Sequence, residues 1–295
     1  MATRFQGLDR AYGTYDLSKP RSSHDAKKIV GQPKTLQGKV TEDLWRDHLD
    51  GIKGLGIVPI MDNDKCHFGA IDIDIYEGLD VKKIIKSINE QCLPLVPCRS
   101  KSGGLHCFTF VKEAVPAFLM KEKLGLFAAV LGYGKSEIFP KQTEILSDRG
   151  DIGQWINMPY FNYKDTDRYA YDKKGDKMSI EQFFEAMNKI WFTAADFKSF
   201  SLTLLSDISD GPPCLQALIT HGFSSGTRND GLFNVAVYLK KVDADNVENA
   251  LDDYNVKYLD PPLSSSEIQQ IVKSIKRKEY NYTCDKHPLK DHCNL

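Results

Sequence analysis

Hydrophobic and polar residues alternate most regularly from His67 to Tyr76, and this pattern predicts a β-strand. Isoleucines occupy every second position from 71 to 75, while Asp72 and Asp74 fall on the opposite face. β-Branched residues favour sheets, so the isoleucine face is expected to meet the core. The two carboxylates then lie side by side, where like charges raise each other's pKa and a divalent cation removes the repulsion. An edge strand with a solvated acidic face is the alternative.

The segments around this strand predict a domain in which helices and strands are mixed. A strand over 55–61 is expected to form a hairpin with the aspartate strand. The apolar patterns that follow predict a helix over 79–91, strands over 93–99 and 105–111, a largely helical stretch over 114–133, a short strand over 137–139 and a helix over 179–192. Residues 1–40 are weakly periodic and rich in Gly, Lys, Ser and Pro, which predicts an irregular lead-in.

Beyond residue 211 the pattern indicates helices alone. Ser, Asp and Gly cluster at 206–211, as is typical of a domain boundary. Pro212 and Pro213 favour a helix start, and apolar residues at helical spacing recur over 232–239 and 268–275. We therefore predict an α+β fold: a catalytic domain of residues 1–207, with a mixed or antiparallel sheet and flanking helices, followed by a small all-α domain of residues 208–295.

Composition and net charge limit the functions and locations that the chain can have. The net charge of the 295 residues is −1, so any nucleic-acid site must be a local patch rather than a basic surface. No apolar run is long enough to span a membrane, and a cytoplasmic protein is expected. Seven cysteines, an odd number, do not indicate a disulfide framework. Those at 66, 92, 98 and 107 lie near apolar segments and are expected to be buried thiols.

The loop from Ser100 to His106 is a second candidate for chemistry. Gly103 and Gly104 permit a positive φ and close approach of the backbone to a ligand, and consecutive N–H groups in such turns bind anions. Ser102 adds a hydroxyl, Lys101 a positive charge and His106 a further donor. Together these groups suit a triphosphate, with a metal ion bridging phosphate oxygens and the carboxylates. The alternative is an ordinary Gly-Gly turn beside a surface histidine.

Two-metal phosphoryl transfer usually needs a third carboxylate. Glu137 is the first candidate because it opens a short apolar strand that could pair beside the aspartate strand. Glu144 and Asp148 are weaker alternatives. Lys141 follows soon afterwards and could reach a phosphate.

These motifs, in this order, resemble the three motifs of the archaeo-eukaryotic primase superfamily, in particular the primase-polymerases of bacteriophages and mobile elements. The resemblance covers roughly residues 50–165, including the Ile-Asn-Met-Pro segment at 156–159. It implies that Asp72 and Asp74 ligate Mg²⁺ or Mn²⁺ ions, that Glu137 takes a position filled by Asp in many members, and that His106 and Ser102 contact the phosphates of the incoming nucleotide. Lys101 and Lys141 are expected to assist.

Three cysteines remain, and their context is similar to the helical C-terminal domain of the primase large subunit. Cys214 follows two prolines, and Cys284 and Cys293 lie in a polar segment. The resemblance implies a 4Fe–4S cluster, for which a fourth ligand would lie beyond residue 295 in a longer natural protein. Zn²⁺ bound with His287 or His292 is one alternative, and three unrelated thiols are another.

The resulting expectation is a DNA primase-polymerase that initiates and extends primers on single-stranded DNA from nucleoside triphosphates. A replicative helicase is a further expected partner, and no membrane is involved. The alternatives are a polymerase that extends primers without initiating, a non-catalytic nucleic-acid-binding replication module, and a metal-dependent glycosyltransferase, in which an Asp-x-Asp pair also binds a nucleotide-linked metal. The glycine-histidine loop and the cysteines give the last of these no support.

Overall fold

The computed structural model describes residues 1–21, 30–200, 208, 210–221, 223, 226–244, 246–259 and 261–293, with backbone alone at 16–21, 30, 31 and 221. The chain divides into two compact units, Met1–Gly125 with Ser136–Ser201 and Leu126–Lys135 with Leu202–Leu295. The first is a mixture of helices and mostly antiparallel strands, and the described part of the second is helical, which confirms the α+β prediction. Of the expected boundary segment 206–211, residues 206, 207 and 209 lie outside the described residues. In the described ranges, no helix has the length and apolar character needed to cross a membrane.

The described strands of the first unit form two sheets. In chain order they are β1 Ala11–Arg21, β2 Val30–Gln37, β3 Gly56–Ile57, β4 Lys65–Ile73, β5 Val96–Arg99, β6 Leu105–Pro116, β7 Glu137–Phe139, β8 Ile156–Asn157 and β9 Trp191–Phe192. The smaller sheet has the order β2-β1-β3-β8 and the larger has the order β5-β6-β4-β7, with β9 parallel to β6. The aspartate strand β4 is therefore central, which excludes the edge-strand interpretation.

The helices of the first unit begin where the sequence supplies a cap. They are α1 Glu42–Leu49, α2 Val81–Glu90, α3 Ala117–Val130 (whose last turn belongs to the second unit), α4 Ile180–Lys189 and α5 Ala194–Ser199. Thr41 caps α1, and Ser179 forms a capping box with Gln182 at the start of α4. The apolar core to which both sheets contribute is rich in aromatic residues, with Phe5, Phe68, Phe108 and Phe110 fully buried.

The second unit has its own apolar core. Its described helices are α6 Pro213–His221, α7 Arg228–Val242, α8 Val247–Tyr258 and α9 Ser265–Arg277. Ser264 and Glu267 form a capping box at α9, whose buried face includes Ile268, Ile271 and Ile275. The pattern predicted α6, α7 and α9 but missed α8, whose mixed apolar and acidic residues give a weak stripe.

Several expectations about the chain are wrong. Residues 1–40 are not an irregular lead-in, because 11–21 and 30–37 form the antiparallel pair β1 and β2. The segment 55–61 forms no strand ladder with β4, since β3 joins the smaller sheet and β4 the larger. The Met61 N–H donates to the Lys65 carbonyl at 2.9 Å only within the turn that connects them. The strand ends at Ile73, so Ile75 is 42% exposed rather than in the core. Cys92 is exposed, whereas the thiols at 66, 98 and 107 are buried as predicted.

Strand β4 needs a glycine in its middle because helix α3 and strand β7 approach it closely. A Cβ atom at Gly69 would lie 2.6 Å from Leu124 Cδ1, 2.7 Å from the Phe139 carbonyl oxygen and 2.8 Å from Met120 Cγ. The Phe139 oxygen belongs to β7 and cannot move without disturbing that strand. The close packing of α3 and β7 against β4 thus fixes the strand that carries Asp72.

Replacing Gly69 by alanine is expected to destabilise the first unit by about 1–3 kcal/mol, the usual cost of overpacking a well-filled core. Chemical denaturation followed by circular dichroism measures this loss. Gly54→Ala is the control, because a Cβ atom there would meet only Tyr15 Cδ2 at 3.8 Å, an ordinary contact. Equal stability of the two variants would contradict the packing argument.

Candidate active site

Three polar side chains form a row across the larger sheet. In the strand register Asp72 of β4 is opposite His106 of β6 on one side and opposite Glu137 of β7 on the other. Directly opposed residues of neighbouring strands project from the same face of a sheet. The register therefore brings together the predicted first carboxylate, the histidine and the predicted third carboxylate, and it confirms that 137–139 is a strand beside β4.

Asp72 is the most buried carboxylate of this row. Its Oδ1 lies 3.2 Å from His106 Nε2, and the two side chains are 13% and 9% exposed. That oxygen is buried and has no hydrogen-bond partner among the described residues. A buried carboxylate oxygen without a hydrogen bond is costly, whereas it is the ligand that Mg²⁺ and Mn²⁺ prefer. Asp72 therefore fits the role of a metal ligand.

Asp74 lies one residue beyond the end of β4. Burial raises the pKa of its carboxyl, and the negative charges of Asp72 and Glu137 raise it further, while the Tyr76 hydroxyl and His106 act in the opposite direction. The three predicted carboxylates are thus close enough to repel one another. A divalent cation among them would remove that repulsion.

Glu137 differs from the two aspartates because it forms an ion pair with a lysine. Its Oε2 lies 2.6 Å from Lys141 Nζ, and its side chain is 56% exposed. No group of three or more His, Cys, Asp or Glu side chains is arranged to hold a metal ion within the described part of the chain. Exposed ion pairs are weak, so a cation can compete with Lys141 for this carboxylate. The three carboxylates have the chemistry that a divalent metal requires, and a metal site that included Glu137 would require this side chain to separate from Lys141.

The glycine loop closes tightly beside the end of β4. The Ser100 N–H donates to the Gly104 carbonyl at 2.9 Å, and the Gly103 N–H donates to the Ser100 carbonyl at 3.2 Å. Gly103 has a φ of +97°, and a Cβ atom at Gly104 would lie 2.4 Å from the Ile73 carbonyl oxygen, so both positions require glycine. Because the Gly103 N–H is used within the turn, this loop offers fewer free N–H groups to an anion than the sequence suggested.

The side chains of the loop point to two different places. Ser102 interacts with the Tyr76 hydroxyl, which also hydrogen-bonds Asp74. Lys101 instead places its Nζ 3.3 Å from the centre of the Tyr15 ring, and Arg168 is its charged neighbour. The structure therefore brings Ser102 and His106 to the carboxylates, whereas Lys101 lies over the smaller sheet.

Sequence reasoning missed Tyr76 and Arg168. Tyr76 could have been found, because the period-two alternation that places Asp72 and Asp74 on one face continues to residue 76. No sequence signal links Arg168 to Lys101, since the two residues are 67 positions apart and meet only in the folded chain.

The three C-terminal cysteines approach one another within the second unit. Burial raises the pKa of the Cys214 thiol, and Cys284 and Cys293 raise it further. The Nδ1 atom of His292 lies 2.9 Å from the Ala129 carbonyl oxygen, and His287 Nδ1 is hydrogen-bonded to the Asp291 carboxylate. The thiols fit the ligand chemistry of zinc or an iron–sulfur cluster, although no complete ligand set is formed among the described residues.

Two family models match this chain. Residues 14–196 match the archaeo-eukaryotic primase domain of TOTE conflict systems, and residues 217–281 match the domain called Primase C terminal 1. A crystal structure of primase RepB' is similar over 90% of this chain and 93% of its own, with 15% sequence identity and a TM-score of 0.29. None of the curated proteins compared with the chain matches it.

Proposed function

The chain belongs to the archaeo-eukaryotic primase domain family of TOTE conflict systems, and from this premise we propose that it is a template-dependent nucleotidyltransferase. It initiates and extends primers on single-stranded DNA by joining nucleoside triphosphates. The observation that carries the proposal is the row in which Asp72 lies between His106 and Glu137. The primase C-terminal domain match supports the same role in replication.

In this proposal the residues of the row have separate tasks. Asp72, Asp74 and Glu137 would hold Mg²⁺ or Mn²⁺, and the bound ions would neutralise the phosphates and stabilise the charge that develops during nucleotidyl transfer. His106, whose Nε2 lies 3.2 Å from Asp72 Oδ1, donates a hydrogen bond to the triphosphate together with Ser102. Lys141, once released by Glu137, pairs with a phosphate oxygen. These contacts align the triphosphate so that a 3′-oxygen bonds to the α-phosphorus while the bond to pyrophosphate breaks.

A primer-free synthesis assay tests this proposal. The protein is supplied with varied single-stranded templates, Mg²⁺ or Mn²⁺, and either ribonucleotides or deoxynucleotides, and a parallel series contains a preformed primer. Products in both series support initiation and extension. Products only with the primer would identify an extending polymerase, and nucleotide binding without products in either series would identify a non-catalytic module. A replicative helicase partner and a cytoplasmic location stay predictions of the sequence.

The second unit is proposed to bind a metal centre through Cys214, Cys284 and Cys293, either an iron–sulfur cluster or Zn²⁺. Metal analysis of protein purified without oxygen, with assay of acid-labile sulfide, separates the two. Cys214→Ser is expected to lose most of the bound metal, because it removes one of three converging thiols. Cys92→Ser, at an exposed cysteine of the first unit, is expected to retain it. Equal metal content in the two variants would contradict the assignment.

A further inference from the structure

The smaller sheet has an outer face that the proposed chemistry does not use. Along its strands Tyr12, Ile57 and Ile156 point into the core, so their neighbours point the other way. We define the outer face by these neighbours and the side chains beside them: Gly13, Tyr15, Gly56, Trp155 and Asn157. Its residues are aromatic, small or neutral, and they carry no carboxylate.

Trp155 lies flat on a floor of two glycines. Gly13 and Gly56 are paired across β1 and β3, and a Cβ atom on either would come within 2.0 or 2.2 Å of the indole ring. The indole Nε1 donates to Thr35 Oγ1 at 3.1 Å, and the Tyr15 ring meets the indole edge-on at 5.5 Å. The indole is thus fixed in orientation while remaining partly exposed.

Two cationic side chains lie beside this face, and each has a buried nitrogen without a hydrogen bond. The Nζ atom of Lys101 and the Nη1 atom of Arg168 are both buried, and neither has a hydrogen-bond partner among the described residues. Their contacts are with aromatic rings instead: Lys101 Nζ lies 3.3 Å from the centre of the Tyr15 ring, and Arg168 Cζ lies 4.8 Å from that of Phe161. The buried Asn157 Oδ1 also has no hydrogen-bond partner.

Burial disfavours the charged form of both side chains. It lowers the pKa of Lys101 to about 8, with a further contribution from the positive charge of Arg168. It also lowers the pKa of Arg168 to about 10, although Tyr15 and the negative charge of Asp167 act in the opposite direction. Both groups are therefore still mainly positive at pH 7. Two positive charges buried next to each other destabilise a fold, whereas a bound anion with several acceptor oxygens would accept hydrogen bonds from both of them.

We propose that Lys101 and Arg168 bind one backbone phosphate of the single-stranded template, while a base of that strand stacks on Trp155. Paired cationic and aromatic groups are how single strands are bound without regard to sequence. The triphosphate is the other source of a phosphate. We assign the template because the indole extends the site for a base, and because Ser102 and His106, rather than Lys101, approach the carboxylates. This inference rests on the proposed function.

Strand binding is measured with a fluorescent single-stranded oligonucleotide, without metal or nucleotide, over a range of salt concentrations. Arg168→Gln and Lys101→Met are each expected to weaken binding about tenfold, and to lower the slope of log Kd against log salt by about 0.7, the value for one phosphate contact on a single strand. Lys86→Gln removes a lysine that is 74% exposed on α2 and is expected to leave both unchanged. Lys101→Met is also expected to raise the thermal unfolding midpoint, because it removes an unpaired buried charge.

Tryptophan fluorescence supplies a second readout. Trp45 is buried and Trp191 lies beneath the Arg4 guanidinium, 3.0 Å from the ring centre, so quenching on strand binding is expected to come from Trp155. Trp155→Phe should therefore abolish the quenching, and it retains a ring over the two glycines.

The outcomes separate this inference from the function on which it rests. Wild-type protein that makes primers, with variants that bind the oligonucleotide as tightly as wild type, would overturn the inference alone. Weaker binding of a nucleoside triphosphate in the absence of template, with strand affinity unchanged, would also overturn it and assign the phosphate to the nucleotide. Wild-type protein that neither binds a single strand nor makes primers would overturn the proposed function as well.

Discussion

Replacing Asp72 and Asp74 together by asparagine is expected to abolish primer synthesis while leaving the fold intact. Each substitution keeps the size of the side chain and removes the negative charge that a divalent ion requires. Because metal stabilisation of phosphoryl transfer is worth several kcal/mol, the rate should fall by at least about 1,000-fold. Initial rates of nucleotide incorporation on a single-stranded template measure the loss.

The fold should tolerate this double change. The burial and the neighbouring charges that raise the pKa of the Asp74 carboxyl are relieved in the neutral amide, while the Asp72 variant loses only its contact with His106. We therefore expect circular dichroism and the unfolding midpoint to stay close to those of the wild type. Asp252→Asn with Asp253→Asn, at exposed positions of α8, makes the same change in net charge and should retain activity. A folded Asp72/Asp74 double variant with normal synthesis would refute the metal assignment.

The sequence predicted which face of β4 carries Asp72 for a physical reason. Side chains of a strand alternate in direction, so an Asp-x-Asp pair within a run of isoleucines had to present both carboxylates on one face. The same rule made the predicted strand too long, because alternation alone does not show where a strand ends. The pairing of β4 with β6 ends at Ile73, and its pairing with β7 ends at Asp72. Ile75 lies beyond both and is consequently exposed.

The smaller sheet was missed because its strands have little apolar character of their own. The paired segments of β1 and β2 contain few aliphatic residues, and most of their positions are polar residues, tyrosines or glycines. The short strands β3 and β8 contribute two residues each. Such strands are stabilised by partner strands distant in sequence, and the local order of apolar and polar residues does not indicate which segments those partners are. The position of Trp155 over Gly13 and Gly56 is of the same kind, since it requires three separate segments to meet.

The helical unit was predictable in outline because its stripes and caps are local. Ser264 and Glu267 lie three positions apart before an apolar helical pattern, and the structure forms the capping box that this spacing predicts. The meeting of Cys214 with Cys284 and Cys293 was suggested by a resemblance rather than by any local pattern. It depends on packing across 70 residues or more.

Glu137 is the residue whose role a single substitution can decide. Its position opposite Asp72 predicts that Glu137→Ala lowers the rate of nucleotide incorporation by about 100-fold or more, since one of three metal-binding carboxylates is lost. The side chain is 56% exposed, and exposed substitutions usually change stability by less than about 0.5 kcal/mol, so unfolding cannot explain such a loss. Glu137→Asp should recover part of the rate, most clearly at high Mn²⁺, because it restores a carboxylate on a shorter side chain.

Two matched variants test the alternatives to this assignment. Glu144 and Asp148 follow Glu137 in sequence and are both exposed, but neither belongs to a strand beside Asp72, so Glu144→Gln and Asp148→Asn are expected to retain wild-type rates. A rate that falls in either of these variants and not in Glu137→Ala would move the third ligand to that position. Full activity in all three would mean that Asp72 and Asp74 suffice, and the ion pair between Glu137 and Lys141 would then be a surface contact without a part in the reaction.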